Sequence, residues 1–338
     1  MLIIMDLLNI ENLKIYYFTR RGIVRAVDGV NLRVSKREVL GIVGESGCGK
    51  STLAYGILRI IPEPGRVVDG HIYFNGVDLI DLSDEELNKY RWRHISMVFQ
   101  GAMNALDPVF TVKDQIIEAI TTHDKSIGKK DAEERVYKLM ELVGLNPDVA
   151  NKYPFELSGG MRQRVVIAMA LSLNPELVIA DEPTTALDVT TQAQILELMK
   201  NLKNTLDMSI IIISHDITVV NEISDKIAVM YAGKIVEYGD IDRVLHHPIH
   251  PYTKGLIMCV PDIAESGVKT LLSIPGEPPD LINIPNGCRF APRCPYAREE
   301  CFSKPPKAYD IDGVYVECHY ADKLADMKPE EFWAVLNE

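Results

Sequence analysis

The chain has 338 residues, room for two domains of ordinary size, and 47% of them are hydrophobic, enough for a sizeable core. Its 36 basic and 48 acidic residues leave a net charge of −12, which argues against a protein that wraps nucleic acid with a basic surface. No apolar run approaches the roughly 20 residues that span a bilayer, so any membrane role has to pass through a partner.

Residues 1–5 are apolar but stop at Asp6 and lack a basic flank, which reads as an edge strand or loose start rather than a secretion signal. Residues 13–18 and 26–34 alternate like strands, with a turn at 19–22. Tyr16, Tyr17 and Phe18 form an aromatic trio; core or strand-face packing accounts for at least two of them, and one could stack on a flat base. Residues 39–43 are an apolar run, a buried strand, and residues 53–58 read as helix. Between them lies Gly44-Glu45-Ser46-Gly47-Cys48-Gly49-Lys50-Ser51-Thr52. Strand, glycine loop and helix start make up a phosphate cradle. The glycines let successive N–H groups point inward, and the helix start adds donors and partial positive charge. Lys50 can then reach outer phosphates and the Ser51 hydroxyl can join a magnesium shell; a glycine-rich turn without ligand is the bland alternative.

Residues 69–76 read as a hairpin strand, and Ser83 with Glu86 marks a capped helix start. A buried strand at 95–99 ends at Gln100. From 101 to about 170 the pattern is helical, with apolar residues three and four apart over 111–121 and 131–143, a helical insertion. Leu157-Ser158-Gly159-Gly160 opens an apolar helix, with Ser158 at the cap position. Its two glycines pack poorly but allow an anion to approach closely; alone, the motif fits an ordinary capped helix equally well. Residues 177–183 form a buried strand delivering Asp181 and Glu182 at its tip, which suits a metal and general-base site. The alternative is an exposed acidic loop, since paired buried acids without a cation are costly. An amphipathic helix over 190–206 precedes a buried strand at 209–214, with His215 at its end, a position usually structural. Residues 227–231 and 234–239 flank Ala232-Gly233 as a hairpin. Past Asp240 prolines cluster, and 241–338 reads as an irregular appendage whose final helix starts near Pro329.

The ordered set of motifs over residues 1–240 resembles the ATP-binding subunit of ATP-binding-cassette (ABC) transporters. Met161 stands where that family commonly has Gln, and Cys48 where it often has Ser; neither changes a side chain that contacts phosphate. The resemblance implies an α/β P-loop NTPase core with an N-terminal antiparallel β part, a helical insertion at about 101–170 and a small irregular C-terminal extension. It implies that Tyr17, nine residues before Ala26, stacks on adenine, and that Lys50 and the backbone of Gly44, Glu45, Ser46, Gly47, Cys48, Gly49, Ser51 and Thr52 hold the phosphates. Ser51, Gln100 (directly or through water) and Asp181 then serve Mg2+. Glu182 is the general base and His215 touches the γ-phosphate. Ser158, Gly159 and Gly160 face ATP on a partner subunit, and Asp188 communicates across that interface.

His247-Pro248-Ile249-His250-Pro251-Tyr252-Thr253, with Leu256 beyond, resembles the extension of oligopeptide and dipeptide importer ATPases, whose relatives also move nickel or oligosaccharides. Read alone, that segment is a proline-rich scaffold with no ligand. Of six cysteines, Cys48, Cys259, Cys288, Cys294, Cys301 and Cys318, the last four are separated by five, six and sixteen residues. In a cytoplasmic chain four thiols in a loop-rich segment suit an iron–sulfur centre, zinc or simple burial, and no pair has the short gap usual for structural zinc. Members of the importer subfamily this chain resembles can hold a [4Fe-4S] cluster here. The implied protein is an ATPase on the cytoplasmic side of the membrane. Its implied partners are a second ATPase subunit, identical or paralogous, and two transmembrane permease subunits. An extracellular peptide-binding protein acts indirectly, and no nucleic acid is involved. The rivals are a soluble ABC ATPase acting on ribosomes or DNA, and a non-catalytic subunit of an asymmetric pair.

Overall fold

The computed structural model describes residues 6–101, 105–259 and 273–329. The edge strand expected over residues 1–5 lies outside them, as does all but the first residue, Pro329, of the final helix.

The chain opens with the strands β1 (Leu8–Thr19), β2 (Gly22–Val34) and β3 (Val39–Val43) and the helix α1 (Lys50–Ile57). Then come β4 (Gly65–Phe74), β5 (Val77–Asp78), α2 (Asp84–Leu87) and β6 (Ile95–Val98). The helical insertion contributes α3 (Val112–His123), α4 (Lys129–Leu142) and α5 (Gly159–Ala170). It is followed by β7 (Leu177–Asp181), α6 (Val189–Leu206), β8 (Ser209–Ser214), α7 (Ile217–Ile223), β9 (Lys226–Tyr231) and β10 (Lys234–Asp240). The remainder holds α8 (Ile241–His246), α9 (Pro251–Met258), α10 (Glu299–Ser303), β11 (Ala308–Ile311), β12 (Val314–Glu317) and α11 (Ala321–Leu324). No described helix is long and apolar enough to cross a membrane.

Two compact units share these elements: Met1–Leu7, Val34–Val39 and Asp78–Ile213 form one, and Leu8–Arg33, Leu40–Val77 and Ser214–Glu338 the other. In the first, β6, β7 and β8 run parallel, with Ile95 opposite Leu177 and Leu177 opposite Ser209. All residues of β7 and β8 are buried, which is why these strands read as unbroken apolar runs rather than alternating ones. Helices α3 and α4 pack through Val112, Ile116 and Ile120 on one and Ala132, Val136, Leu139 and Met140 on the other, the stripes that the three-and-four spacing predicts. Thr111 starts α3 by accepting the Asp114 N–H. Pro147, after Asn146, and Pro154, after Tyr153, each open a 3-10 turn, at Pro147–Asn151 and Pro154–Glu156.

In the second unit β1 pairs antiparallel with β4, inside a sheet ordered β2-β1-β4-β5. The expected antiparallel start is present, with longer strands than the alternation indicates. Strand β3 lies parallel to β9, and β9 turns through Ala232 and Gly233, both at positive φ, into β10. The C-terminal stretch is less irregular than its prolines suggest. Strand β12 pairs antiparallel with β10, and β11 pairs with β12 across Asp312-Gly313, at φ +52° and +80°. Strands of four residues carry too little alternation to read; the Asp-Gly turn is the signal that points to this hairpin.

Candidate functional site

The glycine loop of the second unit leaves β3 and enters α1 at Lys50. Gly44 and Gly49 take φ of +154° and +111°. A Cβ on Gly44 would lie 2.1 Å from the Met230 carbonyl oxygen, and one on Gly49 2.1 Å from that of Ala26, so backbone on both sides excludes any side chain. Gly49 caps α1 without a side-chain hydrogen bond. The helix therefore opens on main-chain N–H groups, the donor set an anion needs. Lys50 is 6% exposed, and its Nζ donates to the carbonyls of Gly44 at 2.6 Å and Glu45 at 3.0 Å, so the ammonium lies folded along the inside of the loop. Cys48 is buried beside it, and burial pushes its thiol up despite the Lys50 charge.

The aromatic trio divides by partner. Tyr16 donates to Asp28 at 2.6 Å, and burial with that carboxylate pushes its hydroxyl up to about 12. Phe18 lies 4.2 Å beneath the Arg66 guanidinium. Tyr17 stands by the loop helix, its hydroxyl 3.4 Å from Thr52 Oγ1. Ser51 and Thr52 are half-buried on the first turn of α1, Ser46 and Gly47 are exposed at the loop tip, and His215 is exposed just past the end of β8.

In the first unit β7 ends at Asp181, fully buried, and Glu182 follows at φ +48° with its N–H on the Ile213 carbonyl at 2.9 Å. Gln100, from the end of β6, donates to Glu182 Oε2 at 3.0 Å, and Thr185 Oγ1 donates to the same oxygen at 2.9 Å. Two residues 82 apart in sequence, both read as site residues, therefore meet. Ser158 caps α5 by accepting the Met161 N–H at 3.3 Å. Asp188 caps α6, and the Thr191 backbone N–H holds its carboxyl below the usual range. Ser158, Gly159, Gly160 and Asp188 line one open concavity of about 400 Å³.

The four late cysteines of the second unit also come together. Cys288, Cys294, Cys301 and Cys318 line one small cavity with Phe290 and Tyr296, and the Cys288 N–H donates to the Cys301 carbonyl at 2.7 Å. Burial pushes Cys288 up to about 11 and Cys294 and Cys318 up to about 12, so without a cation these thiols stay protonated. The expected metal geometry itself is absent: among the described residues no group of three or more His, Cys, Asp or Glu is arranged to hold a metal ion. Neutral thiols pack as small apolar side chains and do not draw together as thiolates on a metal do. Cys48 belongs to the glycine loop and Cys259 caps the end of α9.

The His-Pro-Tyr stretch, which the sequence leaves as a scaffold, is locked by Glu237 on β10. This fully buried carboxylate accepts the N–H groups of Ile249 at 2.7 Å and His250 at 2.9 Å. His250 Nδ1 caps α9 by accepting the Tyr252 N–H at 3.1 Å. Burial holds His250 down to about 3 from 6.5 and pushes Glu237 up to about 7 from 4.5. Their signs oppose. The unfolded histidine takes up a proton below 6.5 that the folded one refuses, so its contribution is lost as pH falls toward 3. The folded glutamate keeps a proton the unfolded one releases, so its contribution is full below 4.5 and lost as pH rises through 7. Between 4.5 and 6.5 the two slopes offset, and below 4.5 the histidine dominates. His250→Asn retains a capping acceptor but not the titration. Its thermal midpoint is expected to fall less than that of the native chain between about pH 4.5 and 3.5, where one proton is worth about 1.4 kcal/mol per pH unit. Identical acid limbs would assign the sensitivity elsewhere.

The "ABC transporter" family profile matches residues 27–185, and "Oligopeptide/dipeptide transporter, C-terminal region" matches residues 236–301. The chain is 49% identical over 312 residues to the oligopeptide transport ATP-binding protein OppD of Bacillus subtilis, covering 91% of this chain and 87% of that one. It is 46% identical to OppD of Escherichia coli K12, covering 89% of each. To the dipeptide transport ATP-binding protein DppD of Caldanaerobacter subterraneus it is 40% identical, covering 95% of this chain and 99% of that one. Among solved structures, the dimeric bacterial ABC transporter cassette MJ0796 superposes with a TM-score of 0.61 at 30% identity, over 69% of this chain and 98% of the cassette. A post-hydrolysis dimer of the same cassette, bound to ADP and Pi, matches equally.

Proposed function

The chain belongs to the ABC transporter ATP-binding family, and from that premise we propose that it powers the uptake of di- or oligopeptides through partner membrane subunits. Residues 1–240 form the cassette and 241–338 the importer-type extension. The observation that carries the reading is the glycine loop, closed to side chains at Gly44 and Gly49 with Lys50 folded inside it.

Phosphoryl transfer needs charge neutralisation and an aligned water, with little covalent help. Lys50 and the N–H groups from Gly44 to Thr52 hold the phosphates, except that of Glu45, which donates to the Tyr252 hydroxyl at 2.8 Å, and Tyr17 stacks on adenine. Ser51, Gln100 and Asp181 serve Mg2+, which neutralises phosphate charge. Glu182 takes the proton from the attacking water, and its contact with Gln100 supports that pairing. His215 meets the γ-phosphate. Ser158, Gly159, Gly160 and Asp188 belong to the ATP sandwiched with a second ATPase subunit; their shared concavity supports this. ATP thus joins two cassettes and hydrolysis releases them.

The permeases dock on the helical insertion, placing the chain on the cytoplasmic face of the membrane. Val109 and Phe110 are 70% and 52% exposed, and Phe155, 68% exposed, stacks on Tyr153 at 5.5 Å. The Val112 N–H to Lys152 carbonyl bond at 2.9 Å ties these two loops together. Exposed apolar clusters of this kind mark protein interfaces. Cys288, Cys294, Cys301 and Cys318 are the residues that would hold a [4Fe-4S] cluster, which would require them to shift from the metal-free packing described above. Four soft sulfur donors around one cavity support a cluster, with zinc as the alternative.

Purification of the assembled complex tests the function. Two membrane-spanning subunits and a second ATPase subunit are expected to accompany the chain, with ATP turnover that responds to peptide and its binding protein. Ribosomes or RNA in their place would establish the rival reading.

A further inference from the structure

We propose that Arg293 and Tyr252, both in the C-terminal extension, are positioning residues for the phosphate loop, and that Arg293 also cancels a negative charge the loop carries. The proposal rests on the reading of residues 44–52 as the nucleotide cradle.

Glu45 puts a carboxylate into a loop built to receive a polyphosphate. Its side chain is 28% exposed and is met by the Arg293 guanidinium, 4% exposed, through two parallel bonds: Nη1 to Oε2 at 2.7 Å and Nη2 to Oε1 at 2.9 Å. The guanidinium is itself aimed: Nε donates to the Pro275 carbonyl at 2.8 Å, and Nη1 reaches the Tyr231 hydroxyl at 3.4 Å. A buried two-point pair of this kind fixes orientation as well as charge. The other end of Glu45 is held too. Its backbone N–H donates to the Tyr252 hydroxyl at 2.8 Å. Tyr252 is fully buried on α9, its ring 4.6 Å from that of Tyr231 and 5.5 Å from that of Phe290.

The peptide unit thus pinned, Gly44–Glu45, is the one whose carbonyl, that of Gly44, accepts Lys50 Nζ at 2.6 Å. Tyr252 and Arg293 fix the side of the loop against which the lysine rests, and Arg293 removes the acid's repulsion of phosphate. Both depend on the fold of the extension: Tyr252 sits behind the Glu237–His250 lock, and Arg293 immediately precedes Cys294.

The test is equilibrium binding of a fluorescent ATP analogue, with Mg2+, to the full chain, alongside its thermal midpoint. R293M is expected to weaken binding about tenfold through the uncancelled Glu45 charge, and E45Q/R293M, with that charge gone, to return to within about threefold of native. Y252F, lacking one oxygen, is expected to lose about threefold. If R293M does not fold, Y252F alone decides, and native affinity in it overturns the proposal. R293M binding within twofold of native while K50A abolishes binding would overturn the tether and leave the cradle standing. A double variant as weak as R293M would remove the charge role. Native binding by K50A would instead overturn the cradle reading itself.

Discussion

Glu182→Gln is expected to bind ATP with near-native affinity, to hold two cassettes together in its presence, and to hydrolyse about a thousandfold more slowly, the scale of a lost general base. The substitution is nearly isosteric. The amide oxygen can still accept from Gln100 and Thr185, which donate to Glu182 at 3.0 and 2.9 Å, so the local network survives. What disappears is the capacity to take a proton from water. The backbone supports the assignment: Glu182 holds φ +48°, an uncommon conformation for a residue with a side chain, anchored by its N–H on Ile213. Such positions concentrate where a fold fixes a reactive group. Steady-state turnover at saturating MgATP and sedimentation with ATP provide the measurement. Normal hydrolysis by this variant would show that another group activates the water.

Cys294→Ser is expected to abolish the visible colour of the anaerobically purified chain, a brown with absorbance in the blue, together with its iron and acid-labile sulfide. Cys294 shares its cavity with Cys288, Cys301 and Cys318, and its thiol, pushed up to about 12, needs a cation before it ionises. A serine hydroxyl is a harder and much weaker ligand for iron, so one exchange leaves an incomplete donor set. The described segment around it holds short elements, a 3-10 turn at Ala291–Arg293, the five-residue α10 and the four-residue β11, β12 and α11, which bury little apolar surface by themselves. A lower unfolding midpoint should accompany the bleaching. A native chain that is colourless and zinc-loaded from anaerobic as well as aerobic preparation would overturn the cluster and leave the cavity a zinc site.

Much of the cassette is legible in one dimension because its chemistry is local. Gly44, Gly49 and Lys50 lie within seven residues and must do so, since one turn of backbone makes the cradle. Ser158 reads as a cap because a helix start needs an acceptor, and it accepts the Met161 N–H; that Asp188 caps α6 in the same way only the fold shows. Strands β7 and β8 read as apolar runs because parallel strands are covered on both faces. The aromatic trio shows where this stops. By residue type three adjacent rings have equal claims and only the family resemblance picks out Tyr17; in the fold their partners Asp28, Thr52 and Arg66 separate them.

The linear order of residues therefore settled the family and located the glycine loop, the acidic strand tip and four cysteines near the C-terminus. The folded chain decided that those cysteines share one cavity, that a buried glutamate locks the His-Pro-Tyr stretch, and that Arg293 closes on Glu45 across 248 residues. The physical reason is range. Turns, caps and buried strands are fixed by neighbours a few residues away and leave a repeating trace. A pairing of distant charges is one choice among 36 cations and 48 anions, and only the packing of the whole chain makes it.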